Sequence, residues 1–155
     1  MALQNQIVPI VFNEHGLLAS GIIDRNAESI ESFLGFNAHR YDLWVNLKLA
    51  LKEIEQFGIT CDFYIDGSFV TDKPTPNDIE LIFDVRNQPQ NIQALAALFH
   101  ITKHHDLKKT YNVDCYPNLS GDSDFCLFFQ YIGEKTGAVK NLPAKHLKGI
   151  IKLIS

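Results

Sequence analysis

The sequence predicts an α/β (α+β) fold in which a small mixed sheet is flanked by helices. Segments with helical and strand-like patterns interleave along the chain, which is typical of this class. The 155 residues are enough for one domain with a hydrophobic core, and 46% hydrophobic with 21% charged residues is an ordinary globular balance. Since no repeat, low-complexity tract or long linker interrupts the chain, we predict a single domain over residues 1–155.

Composition also excludes several classes of protein. A formal net charge of −4 argues against an extensive basic surface for nucleic acid. The cysteines at 61, 115 and 126 lack metal-binding spacing and lie among apolar neighbours, which favours reduced core residues. The N-terminus lacks the features of a signal peptide, and no apolar run approaches the roughly 20 residues that span a bilayer. We therefore expect a cytoplasmic protein that does not enter a membrane.

The N-terminal quarter is predicted to be largely irregular. Residues 7–12 form a short extended segment that Pro9 restricts to a sheet edge. Residues 13–29 are rich in turn-forming side chains and are expected to follow the surface. A short helix is predicted over 26–34, with Asn26 as its N-cap.

The clearest helix is predicted over residues 37–58. Asn37 is a suitable N-cap and Gly58 a suitable terminator. Apolar side chains recur at spacings of three and four, which predicts that they form one core-facing stripe. The members of this stripe are Tyr41, Trp44, Leu47, Leu51 and Ile54.

Two strands separated by a turn and a loop are predicted next. Residues 59–66 alternate between polar and apolar, as a half-buried strand does. A Gly-Ser turn follows at 67–68, then a loop at 71–77 that contains two prolines. Residues 78–85 are apolar apart from their acids and predict a second strand. Asp66, directly before the turn, is interpreted as a turn residue.

The C-terminal half continues the alternation. A helix is predicted over 90–105 with Leu95, Leu98 and Phe99 inward, and a third strand over 111–117. We expect a helix over 123–134 that begins at Ser123, a basic loop over 135–145, and a final strand or short helix over 146–155. Periodicity does not separate the last two alternatives.

Two acids in the second strand indicate a metal site. Asp78 and Glu80 are two residues apart, so their side chains share one face of the strand and repel each other. A hard divalent cation such as Mg²⁺ relieves this repulsion and takes carboxylate oxygens and substrate phosphates as ligands. Asp114 in the third strand would complete a three-acid metal and catalytic site if that strand lies beside the second.

The turn before these acids is suited to phosphate. Gly67 permits close approach of the backbone to a ligand, and Ser68 adds a hydroxyl donor. Lys73, in the loop between Ser68 and Asp78, carries a charge that could reach a phosphate. These residue types predict that a triphosphate lies between the turn and the acids.

The stretch "GSFVTDKPTPNDIEL" resembles the active-site signature of the DNA polymerase β-like nucleotidyltransferase superfamily. Together with "FNEHGLLASGI", "NAHRYDLW" and "LKGIIKL", it resembles a family of small bacterial and phage-borne proteins with that core, over nearly the whole chain. The resemblance implies transfer of a nucleoside monophosphate from an NTP to an RNA or protein hydroxyl, with Mg²⁺ or Mn²⁺. It departs from the commoner pattern at Glu80, where Asp is more usual.

Two other functions remain open. The chain is short and shows no large extra helical domain to grip a base, so it could be a catalytically degenerate member of the fold. Such a protein would bind a toxin or another partner as an antitoxin-like or defence-system component. A sensor that binds nucleotide without turnover is a further alternative. His100 and His104 have a zinc-compatible spacing but no third ligand, so a solvated helix surface is expected there.

Overall fold

The computed structural model describes residues 7–121 and 124–155, and it confirms the α+β class. The strands of the described residues are β1 (Gly21–Asn26), β2 (Asp62–Asp66), β3 (Ile79–Asp84), β4 (Val113–Asn118) and β5 (Gly149–Ile154). The helices are α1 (Ala27–Leu34), α2 (Ala38–Gln56), α3 (Gln90–Tyr111), α4 (Phe125–Phe128) and α5 (Gly133–Lys140). A 3₁₀ turn spans Ser68–Val70. Across these ranges, no helix is both long and apolar enough to cross a membrane.

The strands form one mixed sheet with the order β1-β5-β2-β3-β4. Two pairs are parallel, β1 with β5 and β3 with β4, whereas β2 runs antiparallel to both of its neighbours. The last strand of the chain therefore lies inside the sheet, between β1 and β2. This order places β4 beside β3, as the hypothesis of a third acid requires.

The two faces of the sheet are covered differently. One face packs against the long helices, where Ile65 and Leu81 from the sheet join Trp44 and Phe99 in the main hydrophobic core. The opposite face carries a smaller cluster of Tyr64, Ile82 and Ile150, covered by Cys126 of the short helix α4. Because α4 covers only part of this second face, the end of the face nearer Asp66 and Glu80 is available to form a site.

The two predicted asparagine N-caps are confirmed. The side chain of Asn26 accepts a hydrogen bond from the amide of Ser29, and that of Asn37 accepts one from the amide of Arg40. Gly58 adopts a positive φ of 97° directly after α2, in agreement with its predicted role. Each start depends on neighbours in sequence alone, which explains why local reasoning found it.

Two residues assigned to helix cores are instead exposed. Tyr41 is 45% exposed and Leu98 is 49% exposed. In this part of α2, Leu43 and Trp44 are the buried residues, so Tyr41 lies on a side of the helix that does not face the core. In α3, the buried positions Ala96 and Phe99 face inward and leave Leu98 on the outer side.

Three segments differ from their predictions. The 13–29 region contains β1, and residues 7–12 have no regular secondary structure. β1 pairs in parallel with β5 at the opposite end of the chain, so its own short pattern was not diagnostic. The segment 135–145 was predicted to be a loop, but most of it belongs to α5, in which only Gly137 is buried. A helix with almost no buried face lacks the periodic signal that identifies helices.

The last two predicted elements are a shorter helix and a strand. The helix predicted over 123–134 is reduced to α4, whose start is capped by the Asp124 side chain. Ser123, the predicted start, lies outside the described residues. The final segment is a strand, β5, which settles the alternative between strand and helix.

Candidate functional site

A row of acidic side chains crosses neighbouring strands at one end of the second sheet face. Asp66 on β2 lies opposite Glu80 on β3, and Glu80 lies opposite Asp114 on β4. Asp78 directly precedes β3 and is two residues from Glu80, so both acids belong to the same face. The fold thus brings four carboxylates to one edge of the structure.

A cavity of about 960 Å³ opens between this acidic end and the segment that contains α4 and α5. Its polar wall includes Asp66, Gly67, Ser68, Asp78 and Glu80. Lys73 also lines it, from the loop before Asp78. Asp114 does not line the cavity, and it lies next to Glu80 on the neighbouring strand β4. The cavity therefore unites five of the six predicted site residues, Gly67, Ser68, Lys73, Asp78 and Glu80.

The turn after β2 depends on glycine. Gly67 has a φ of +86°, in a region that L side chains rarely adopt. A Cβ atom at this position would lie 3.3 Å from Cγ and Cδ of Glu80, which is a tight contact. Ser68 follows at the start of the 3₁₀ turn and faces the cavity. Glycine therefore lets the turn adopt its conformation and leaves room for the Glu80 carboxylate.

We predict that Gly67→Ala lowers stability and ligand binding together. Gly121→Ala is the matched control because Gly121 has a φ of +83°, and no atom of the described residues lies within 4 Å of its added Cβ. Both variants carry the backbone strain, about 1–2 kcal/mol in the free energy of unfolding. Only the change at 67 displaces Glu80, so we expect only this variant to lose metal-dependent nucleotide binding in calorimetry. Equal binding by the two variants would contradict the prediction.

A buried ion pair lies at one end of the acidic row. Lys148, directly before β5, donates a hydrogen bond to Oδ1 of Asp66, and the two residues are 4% and 1% exposed. Burial raises the pKa of Asp66, while the Lys148 ammonium and a hydrogen bond with Glu80 oppose that rise. The interpretation of Asp66 as a simple turn residue is therefore incomplete. Its partner lies 82 positions away, which no local signal reveals.

Glu80 and Asp78 lie in an environment that penalises negative charge. Burial raises the pKa of Glu80 from 4.5 to about 7, reinforced by Asp66, Asp78 and Asp114 and opposed by Lys148. Burial also raises the pKa of Asp78, with nearby lysines opposing and Asp114 reinforcing the rise. A bound cation would remove much of this penalty.

We predict a pH-dependent gain in stability from Glu80→Gln. The folded protein keeps the proton on Glu80 up to about pH 7, whereas the unfolded chain releases it near 4.5. Wild-type stability therefore falls as pH rises through this window, because the folded state binds more protons. Chemical denaturation should show similar stability near pH 4 and a variant more stable by about 2–3 kcal/mol at pH 8. A variant no more stable at pH 8 would contradict the assigned environment.

Asp114 is already paired with groups of its own chain. Its Oδ2 accepts hydrogen bonds from Nζ of Lys108 and from the hydroxyl of Tyr116, each at 3.0 Å. Lys108 comes from α3, and its side chain is about half exposed. For Asp114 to contact a metal or an acceptor, it would have to exchange Lys108 for that ligand. Its role as a third site acid stays a prediction.

The carboxylates of Asp78 and Glu80 suit a cation that binds together with its substrate. In the described ranges, no group of three or more His, Cys, Asp or Glu side chains is arranged to hold a metal. Asp78 and Glu80 nevertheless offer two half-buried carboxylates, and neither takes part in an ion pair of the described residues. Mg²⁺ commonly uses one or two carboxylates and completes its shell with water and substrate phosphates. This donor set fits that mode of binding.

Lysines from the loop before Asp78 and from α5 line the same cavity as the acids. Lys73 and Lys135 line the cavity, are exposed, and have no carboxylate partner among the ion pairs of the described residues. Lys140 also lines it and bridges to Oδ1 of Asp72 at 2.9 Å. This bridge ties α5 to the loop that carries Lys73. Sequence reasoning placed Lys135 in a basic loop and did not select it as a site residue.

A buried arginine fixes the loop between the Gly-Ser turn and Asp78. Arg40 on α2 is fully buried, and its guanidinium donates to the backbone carbonyls of Phe69, Thr71 and Lys73 and to that of Leu34. Burial lowers its pKa to about 10. The planar group with five N–H donors suits such a carbonyl cluster. Sequence reasoning missed Arg40 because arginine in a helix is normally a surface residue.

Comparison with known proteins gives one match. A family model described as "Family of unknown function (DUF6932)" matches residues 10–154, which include all five described strands and every lining residue of the cavity. No curated protein and no solved structure matches the chain. The functional argument therefore depends on the geometry of the site.

Proposed function

The chain belongs to DUF6932, a family of unknown function, and we propose that it is a cytoplasmic, metal-dependent nucleotidyltransferase. Its reaction would move a nucleoside monophosphate from an NTP to a hydroxyl of an RNA or protein acceptor. The observation that supports this most strongly is the cavity that joins Asp78, Glu80 and the Gly67-Ser68 turn. A metal–triphosphate site needs carboxylates for the metal and a turn that can approach the phosphates, and this cavity has both.

The residues of the cavity divide into two roles in this proposal. Asp78 and Glu80 hold Mg²⁺ or Mn²⁺, which offsets the negative charge of the triphosphate. The Gly67 backbone allows close approach of the phosphates, Ser68 donates its hydroxyl to a phosphate oxygen, and Lys73 neutralises charge at the rim. Burial and the neighbouring acids raise the pKa of Glu80 to about 7, and a bound cation would offset this penalty on its charge.

Asp114 is assigned to the acceptor. The acceptor hydroxyl oxygen forms a bond to the α-phosphorus, the bond from that phosphorus to the pyrophosphate oxygen breaks, and pyrophosphate leaves. The hydroxyl proton passes to Asp114 or to water. Because Asp114 lies on β4 outside the cavity lining, the acceptor would approach from the β4 side of Glu80. Lys108 would be displaced from Asp114 as the acceptor binds.

A partner-binding role is the second candidate. Two of the four acids, Asp66 and Asp114, already have lysine partners inside the chain. That arrangement is what a degenerate site would keep once it no longer needs metal. In this case the domain would bind a toxin or another protein as an antitoxin-like or defence-system component.

Binding and transfer assays with the wild-type chain distinguish the two. Each of the four NTPs, labelled at the α-phosphate, is incubated with Mg²⁺ or Mn²⁺ and with RNA or protein acceptors, and a parallel sample contains EDTA. Metal-dependent transfer of label, or metal-dependent binding of an NTP in calorimetry, supports the enzyme. If none of the four NTPs shows metal-dependent transfer or binding, the nucleotidyltransferase proposal fails and the partner-binding role is favoured.

A further inference from the structure

The segment between β4 and β5 lines the cavity with exposed apolar side chains beside the charged ones of Lys135 and Lys140. The exposed apolar members are Phe128, Tyr131 and Val139, which are 63%, 43% and 83% exposed. We call these three residues the apolar wall. Large exposed apolar side chains inside a concave site are informative because they indicate what the site is shaped to contact.

The aromatic members of the apolar wall are held from behind. The ring of Phe128 meets that of Phe129 edge to face at 5.2 Å, and Phe129 in turn packs 5.0 Å from Tyr116 on the sheet. The backbone of Tyr131 forms a bridge with Leu147, next to the start of β5. The ring of Phe128 is therefore held against the sheet through Phe129, the backbone of Tyr131 is held beside Leu147, and both residues line the cavity.

The cavity thus has two chemically distinct sides. One carries Asp78, Glu80 and the Gly67-Ser68 turn, and the other carries the apolar wall together with Lys135 and Lys140 of α5. A ligand that matches both is charged at one end and flat and apolar at the other, which is the character of a nucleotide. About 960 Å³ lies in the range of pockets that enclose small ligands.

We propose that the apolar wall binds the nucleobase, with Phe128 and Tyr131 as stacking surfaces, while the triphosphate lies at the acids. This inference rests on the proposed nucleotide-binding function and assigns the part of the substrate that the acids do not contact. Stacking tolerates every base, so we expect the four NTPs to bind with similar affinity.

The test compares ATP with inorganic tripolyphosphate, each titrated calorimetrically with Mg²⁺ present. Tripolyphosphate contacts only the phosphate side, so the wild type should bind ATP more tightly. Phe128→Ala should weaken ATP binding by about tenfold and leave tripolyphosphate binding unchanged, and Tyr131→Ala should act in the same direction. Phe128→Tyr keeps an aromatic face and should retain most of the affinity for ATP.

Leu127→Ala is the matched control. Leu127 is 59% exposed on the same short helix but does not line the cavity, so its loss should change neither titration. Equal effects of Phe128→Ala on ATP and tripolyphosphate, or no effect on either, would overturn the nucleobase site and leave phosphate binding intact. If the wild type binds neither ligand, the proposed function fails and this inference fails with it.

Discussion

Asp78→Asn is expected to reduce metal-dependent nucleotidyl transfer by roughly 10²–10³-fold, the scale of losing a principal electrostatic contact in an active site. Asparagine keeps the size of the side chain but removes the charge that would hold the cation beside Glu80. Since burial already penalises charge at Asp78, the variant should fold at least as well as the wild type. Initial rates with labelled NTP and Mg²⁺, together with a denaturation curve, measure both effects.

Asp62→Asn is the control for this substitution. Asp62 lies on the same face of the sheet, opposite Asp84 at the far end of β2 and β3, and its side chain is 62% exposed. Its loss changes net charge by the same amount without touching the cavity. Equal losses of activity in the two variants would indicate a general charge effect and would remove Asp78 from the proposed metal site.

Arg40→Met is expected to lower the free energy of unfolding by about 3–5 kcal/mol. Methionine has a similar volume but no donors for the four backbone carbonyls that the guanidinium contacts. Three of these carbonyls lie in the 3₁₀ turn and the loop after it, and the fourth lies at the end of α1. Each carbonyl that stays buried and unpaired costs about 1–3 kcal/mol, and relaxation of the loop recovers part of the total. Urea denaturation of the two proteins measures the difference.

Lys52→Met on the exposed side of α2 is the control, and it should change stability by less than about 0.5 kcal/mol. Arg40→Lys separates charge from geometry, because lysine has three donors on a flexible stem and cannot reach all four carbonyls. We expect this variant to be nearly as unstable as Arg40→Met. An Arg40→Met protein with wild-type stability would show that the carbonyl cluster finds other donors.

Much of the fold could be predicted because it depends on neighbours in sequence. The caps Asn26 and Asn37 bond to amides three residues away, and β2 and β3 have strand patterns on both sides of one turn. β1 and α5 could not be predicted in this way. The first pairs with β5 more than a hundred residues later, and the second buries almost no face. The prediction of a single domain over 1–155 was not tested by these features.

The candidate site divides along the same line. Gly67, Ser68, Lys73, Asp78 and Glu80 fall within 14 consecutive residues, so their spacing alone predicted a common site. Asp114 required one correct assumption, that its strand lies beside β3, and the register opposite Glu80 confirms that placement. The metal and catalytic roles of these residues stay predictions.

By itself, the sequence determined the turn, the loop and the acid pair, because a glycine turn and alternate residues of one strand are set by local backbone geometry. Only the tertiary structure decided what surrounds them. Lys148 donates to Asp66, Arg40 donates to the loop carbonyls, and Phe128 lines the same cavity as the acids because distant segments meet at this end of the sheet. Local pattern carries no information on which distant segments meet, since their meeting depends on strand order and packing of the whole chain.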